Sequence, residues 1–139
     1  TPLDGVPMAT RSGALDPGVM LHLAGTLNLP LARIEQMLWR DAGLRGISGL
    51  SGDMRELLAD SGAAAALALD QYTVRIAQAI VAMATAIGGM DGVVFSGGIG
   101  EGAAPIRSRV AAHLQWTGLR LDPTVNRHGG PAIHANDSA

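Results

Sequence analysis

The chain contains no cysteine and no lysine; all ten of its basic residues are arginine. The missing cysteine excludes disulfides, thiolate zinc sites and cysteine nucleophiles. The missing lysine excludes a Walker-A phosphate lysine, a Schiff-base lysine and a polybasic membrane patch of lysines. Aromatic residues make up only 3% of the sequence, so Ala, Leu, Ile, Val and Met must build the core. No apolar run approaches the roughly 20 residues that span a bilayer, and no signal peptide opens the chain. A formal net charge of -2 argues against a dedicated nucleic-acid binder. These absences predict a soluble, cytoplasmic protein with neither nucleic acid nor membrane as partner. What is present is 139 residues at 47% hydrophobic content, enough for one compact domain.

The first residue is Thr1, and residues 1–10 show little periodicity, which reads as an entry in mid-protein. Asp16-Pro17-Gly18 has the pattern of a capped helix start, Asp as N-cap and Pro at the first position. Met20, Leu21, Leu23 and Ala24 then offer an apolar face up to Asn28. A second helix is predicted over residues 30–42, where Leu31, Ile34, Met37 and Leu38 recur at helical spacing, with Gly43 as its stop. Residues 43–52 hold four glycines and read as a loop. A short helix is predicted over 53–60, then a long Ala-rich helix over 63–87, buried on most of its surface.

Residues 91–96 read as a short apolar strand that runs into the glycine loop 97–102. Helix resumes over 104–116, a second short strand is predicted over 119–122, and residues 126–139 form a polar, loose tail. Strand, glycine loop, helix, strand make one βαβ unit. Two parallel strands do not make a stable sheet alone, so the pattern points to part of a larger domain.

Three stretches could carry chemistry. In 93–102 a strand delivers Gly97, Gly98, Gly100 and Gly102 to a helix start, a geometry that suits phosphate. The same glycines also fit a tight strand-to-helix turn. Without lysine a Walker-A loop fails. A dinucleotide fingerprint fits Gly98, Gly100 and Ala103, with Asp122 near the place of a ribose-binding acid. A third option lays an adenosine against the glycines. In Thr10-Arg11-Ser12-Gly13, the Arg11 guanidinium between two hydroxyls can clamp an anion bidentately; a solvated surface arginine is the plainer reading. In Ser48-Gly49-Leu50-Ser51-Gly52-Asp53-Met54-Arg55, Ser51 or Asp53 can cap the next helix and Arg55 can pair with Asp53 or Glu56, or the segment can line a nucleotide. His22, His113, His128 and His134 lack metal-ligand spacing. Trp39 and Trp116 fall at helix ends and read as packing residues. No G-x-S-x-G elbow is present.

Taken together and in order, the stretches resemble the acetate kinase family, whose close relatives include propionate kinases. The resemblance rests on Met8-Ala9-Thr10-Arg11-Ser12-Gly13-Ala14-Leu15-Asp16-Pro17-Gly18, on Gly46-Ile47-Ser48-Gly49-Leu50-Ser51-Gly52-Asp53-Met54-Arg55, and on Val94-Phe95-Ser96-Gly97-Gly98-Ile99-Gly100-Glu101. It implies an α/β fold: residues 1–125 as a helix-rich part, with a partial sheet, of the C-terminal nucleotide-binding domain of an actin-like (sugar kinase/Hsp70-like) ATPase. It implies reversible phosphoryl transfer from ATP, with Mg²⁺, to a short-chain carboxylate, acetate or propionate, giving an acyl phosphate and ADP. Arg11 matches the family's catalytic arginine. Asp53, Met54 and Arg55 match a segment that lines the nucleotide site, and Gly98, Ile99 and Gly100 match the loop against the adenosine. The family forms homodimers. Two positions depart from its pattern: Ala14 stands where an acid is usual, and Gly102 where Asn is usual. The family's metal-site residues and further catalytic Arg, His and Asp have no counterpart here. The chain by itself is therefore expected to hold the nucleotide side and one catalytic arginine, and to be inactive alone.

Overall fold

A computed structural model describes residues 1–138. The chain divides into two compact units, Thr1–Tyr72 and Thr73–Ala139.

In the first unit, α1 (Pro17–Leu21) starts as its sequence predicts: the Asp16 carboxylate accepts from the Gly18 amide at 2.7 Å. It continues into a single π-helical turn, His22–Thr26. Its expected apolar face is not buried, and Leu21 is exposed. Helix α2 (Leu31–Arg40) lies inside the predicted span and buries Ile34. Gly43 does not merely stop α2. It opens a further helix, α3 (Gly43–Ser48), where a loop was expected. Nothing in the local sequence caps α3. Its first amides are satisfied by distant backbone, Leu44 N donating to Met8 O at 2.9 Å and Arg45 N to Ala9 O at 3.0 Å. These are groups that a helix start leaves unpaired. Helix α4 (Met54–Ala59) follows, capped by Asp53, one of the two candidate caps. The core of this unit is Ile34, Leu44, Met54, Leu57, Ala65, Ala68, Leu69 and Tyr72.

Helix α5 spans Ala63–Ile87, the predicted bounds. Burial is narrower than expected. Ala65, Ala68, Leu69, Tyr72, Thr73 and Ala77 form one stripe at three- and four-residue steps, while Leu67, Met83 and Ile87 are exposed. An all-round apolar helix gives no sequence cue to which face will be covered.

In the second unit the predicted strands do not pair. No β-strand occurs among the described residues, so the partial sheet is absent. Residues 92–96 carry no regular secondary structure, and Val94 is 92% exposed. The second predicted strand finds a local partner instead. Leu121 forms an isolated antiparallel bridge with His134, flanked by Asp122 N to Ile133 O and Ala135 N to Arg120 O, both at 3.0 Å. A nearby returning segment reaches these backbone groups at a smaller loop-closure cost than a parallel crossover. The expected loop 97–102 is a short helix, α6 (Gly97–Gly102). Helix α7 (Ala104–His113) and a 3₁₀ turn (Gln115–Thr117) cover the next predicted helix. Helix α8 (Pro123–His128) enters the stretch expected to be a loose tail and buries Asn126. Ile106, Val110, Ala111 and Leu114 are the buried apolar face of α7 and its end, while Trp116, expected to pack, is 73% exposed.

Candidate nucleotide site

The first unit brings two of the three sequence stretches together. The segment carrying Arg11 is fixed by two main-chain bonds and one side-chain bond: Ala42 N donates to Thr10 O at 3.1 Å, Met8 N to Arg11 O at 3.1 Å, and Thr10 Oγ1 to Trp39 O at 2.9 Å. Gly43 is required for this closeness. Its φ is +59°, and a Cβ there would sit 2.2 Å from Met8 O and 2.6 Å from Arg11 O. Gly52 approaches the same strip, its Cβ position lying 2.7 Å from Ala9 O. The loop between α3 and α4 is tied by Ser48, whose buried hydroxyl oxygen accepts from the Leu50 and Ser51 amides.

Arg11 is held by an indole and a thioether rather than by a countercharge. Its guanidinium carbon lies 5.2 Å from the centroid of the Trp39 ring, and Nη1 donates to Met8 Sδ at 3.8 Å. Among the described residues no carboxylate forms an ion pair with it. A half-buried arginine stacked on an indole keeps its planar fork for an incoming anion. Trp39 therefore does pack, and it packs on Arg11.

Asp53 caps α4 and forms an ion pair with Arg55. Asp53 accepts from the Arg55 amide at 2.8 Å and from Arg55 Nη2 at 2.6 Å. The Arg55 side-chain hydrogen bond, aided by the backbone amide, lowers the Asp53 carboxyl to about 2 from 3.8. Asp53 reciprocally raises the Arg55 guanidinium. Met54 is a core residue, 5% exposed.

The second unit holds the glycines. In α6 the Glu101 carboxylate folds back and accepts from the Gly97 amide at 2.9 Å, capping its own helix. Beside α6 opens a cleft of about 340 Å³ whose lining includes Phe95, Gly100, Glu101 and Arg107. Gly98 and Gly102 would bear a Cβ without meeting any atom within 4 Å. No packing among the described residues requires Gly98, yet glycine in a helix costs about 0.5–1 kcal/mol against alanine. An open position of this kind leaves room for close approach by something outside the chain.

The dinucleotide alternative loses its supports. The Asp122 carboxylate is spent on the α8 cap, accepting from Thr124 N at 2.7 Å and Val125 N at 2.9 Å, and these amides lower its pKa. Glu101 occupies the Gly97 amide that a pyrophosphate would use. Ala103 breaks α6 from α7 instead of lying within one helix.

Sequence reading passed over Arg107 and Asn126. Arg107 is 4% exposed and Asn126 1% exposed. Arg107 Nε donates to Asn126 Oδ1 at 2.6 Å, Nη2 to Asn126 O at 2.5 Å, and Nη1 to Gly100 O at 2.9 Å and Glu101 O at 2.6 Å. One signal was available: Arg107 lies three and four residues from Val110 and Ala111, on the face that helical spacing turns inward. Asn126 gave none. Among the described residues, no group of three or more His, Asp or Glu side chains could hold a metal ion, and no helix is long and apolar enough to cross a membrane.

Solved structures of propionate and acetate kinases are similar to this chain. A propionate kinase from Francisella tularensis superposes with a TM-score of 0.93 at 35% identity, over 99% of this chain and 36% of that one. An acetate kinase from Porphyromonas gingivalis gives 0.91 at 35% identity, again over 99% and 36%. In sequence, an acetate kinase of Nitrobacter hamburgensis is 44% identical over 138 residues, which is 99% of this chain and 34% of the relative. One from Rhodopseudomonas palustris is 45% identical over 140 residues, 99% and 35%. The Acetokinase family profile matches residues 1–139. The chain belongs to the acetokinase family. It spans about a third of the length of the curated relatives it matches.

Proposed function

We propose that this chain is the nucleotide side of a carboxylate kinase, part of the C-terminal nucleotide-binding domain of an actin-like ATPase fold. It serves transfer of the γ-phosphoryl group of MgATP to acetate, with propionate as the neighbouring substrate. In that reaction a carboxylate oxygen bonds to the γ-phosphorus, the bond to the β–γ bridging oxygen breaks, and acyl phosphate and ADP result. The observation that carries the reading is Arg11: its backbone is anchored on both sides, its guanidinium is stacked on Trp39, and no carboxylate among the described residues neutralises it. A loose phosphoryl transition state spreads charge over the equatorial oxygens, and a preorganised guanidinium stabilises that charge.

The remaining roles follow the resemblance. Gly98, Ile99 and Gly100 would lie against the adenosine, and the open Cβ position of Gly98 suits that approach. Asp53, Met54 and Arg55 would line the nucleotide. The residues of this chain do not fit a Mg²⁺ site of their own, since no acidic cluster is present among those described. The ion enters as part of the nucleotide substrate, and no step here is routed through it. One wall of a cleft does not align two substrates, so the 139-residue chain alone is expected to be inactive. Homodimer formation also belongs to this proposal.

Two measurements test it. The first is hydroxylamine trapping of acyl phosphate by the polypeptide its source cell makes, as wild type and Arg11→Ala. A loss of about 100-fold or more in kcat is expected for the variant, and an unchanged kcat would remove Arg11 from the chemistry. The second is the same assay on the purified 139-residue chain, where turnover of ATP with acetate would overturn the one-sided reading.

A further inference from the structure

We propose that Arg107, with Asn126, is the positioning residue of the glycine helix, holding Gly97–Gly102 in the conformation that receives the nucleotide. The inference rests on the nucleotide-side reading above and adds a residue to it. It starts from an imbalance. Helix α6 has six residues, four of them glycine, and an isolated helix of that length and composition does not persist in water. Both of its ends are nonetheless fastened by side chains. Glu101 takes the Gly97 amide at the start. At the far end, where a helix leaves its last carbonyls unpaired, Arg107 Nη1 donates to the carbonyls of both Gly100 and Glu101.

The other side of the guanidinium shows why arginine stands there. Nε and Nη2 donate to the side-chain and main-chain oxygens of Asn126. Asn126 Nδ2 in turn donates to Ala104 O at 3.0 Å and Ser108 Oγ at 2.9 Å. A single planar fork thus joins α6, α7 and α8. Burying a guanidinium is costly unless its donors are satisfied, and an apolar side chain of similar volume would often fill such a space as well. What an apolar residue lacks is a donor for the two α6 carbonyls. Lysine lacks the fork: its ammonium donates from one point and does not bridge acceptors on opposite sides. Arg107 also lines the cleft beside α6. Four of its five N–H donors go to protein oxygens, so it acts through the helix it holds.

Nitrogen-15 relaxation of the full chain tests this. In the wild type, the Arg107 Nε–H should exchange slowly with water, and the amides of Gly97–Gly102 should show order parameters of about 0.85. In Arg107→Lys those amides should fall below about 0.6 while α7 keeps its order. Asn126→Ala, which removes one acceptor and leaves the α6 contacts in place, should loosen them less. ADP titrated against the glycine amide shifts should bind roughly tenfold more weakly to Arg107→Lys, in proportion to the lost competent fraction. Rigid glycine amides in Arg107→Lys would overturn the proposal. So would a fast-exchanging Arg107 Nε–H in the wild type, or loss of spectral dispersion across the whole second unit. The absence of any ADP shift in a rigid wild type would instead defeat the nucleotide-side reading and leave the clamp standing.

Discussion

Gly43→Ala is the substitution on which the geometry of the first unit makes its sharpest demand. Two costs add. The residue has a φ of +59°, where an L-residue pays about 1–2 kcal/mol. The new methyl would also sit 2.2 Å from Met8 O, 2.6 Å from Arg11 O and 3.0 Å from Arg11 N, all main-chain atoms with no rotamer to escape into. The strip 8–11 must then move away from α3. The bonds from Leu44 N to Met8 O and from Arg45 N to Ala9 O go with it, each worth about 0.5–1.5 kcal/mol net. The sum is about 2–5 kcal/mol, a large share of an ordinary domain's stability. In urea unfolding followed by circular dichroism, with an m-value of about 2 kcal/mol/M, a loss of about 3 kcal/mol lowers the midpoint by about 1.5 M. Because the displaced strip carries Arg11 and Arg11 stacks on Trp39, the Trp39 emission of the folded variant should shift as well. A midpoint within about 0.3 M of wild type would refute both the clash and the claim that Gly43 positions Arg11.

Gly98→Ala should do the reverse, separating stability from binding. With no atom within 4 Å of the new methyl, the variant should gain about 0.5–1 kcal/mol in urea unfolding. It should also weaken ADP binding by roughly tenfold in isothermal titration, as a methyl pressed into a close contact does; equal affinity would remove Gly98 from the site. For Asp53, whose folded-state pKa is depressed, the linked stability is present above the unfolded value near 3.8 and lost as pH falls through about 2. A carbon-13 titration of its carboxyl should give a midpoint of about 2, and α4 should fray between about pH 4 and pH 2. Arg55→Ala should raise that midpoint while the Arg55 backbone amide still holds it below the ordinary range; an unmoved midpoint would show that the ion pair has no part in the shift.

The helices that could be read from the sequence are those whose start, period and stop are written within a few residues. Asp16-Pro17, the apolar steps of 30–42, the Asp53 cap and the uninterrupted run 63–87 all carry their own signals. Helix α3 was not legible because its capping groups are carbonyls more than thirty residues away. Helix α6 was not legible because its glycines argue for a loop, and the groups that hold its two ends are side chains, one of them on the next helix. The predicted strands 91–96 and 119–122 have the right composition, but a strand is defined by a neighbour. One finds none among the described residues, and the other finds an antiparallel bridge.

The candidate site divides along the same line. By itself the sequence determined the family, through three ordered stretches no one of which is specific alone, and it marked Arg11 and the glycines as the groups to examine. Their chemistry is a property of residue type: a guanidinium is charged and forked, and glycine has no side chain. Only the tertiary structure decided what surrounds them. It left Arg11 over an indole and, among the described residues, without a carboxylate, spent Asp122 on a helix cap, buried Met54 in the core, and set Arg107 and Asn126 inside as a clamp. Those outcomes depend on which distant groups compete for the same donors and acceptors, and that competition is settled only when the chain has packed.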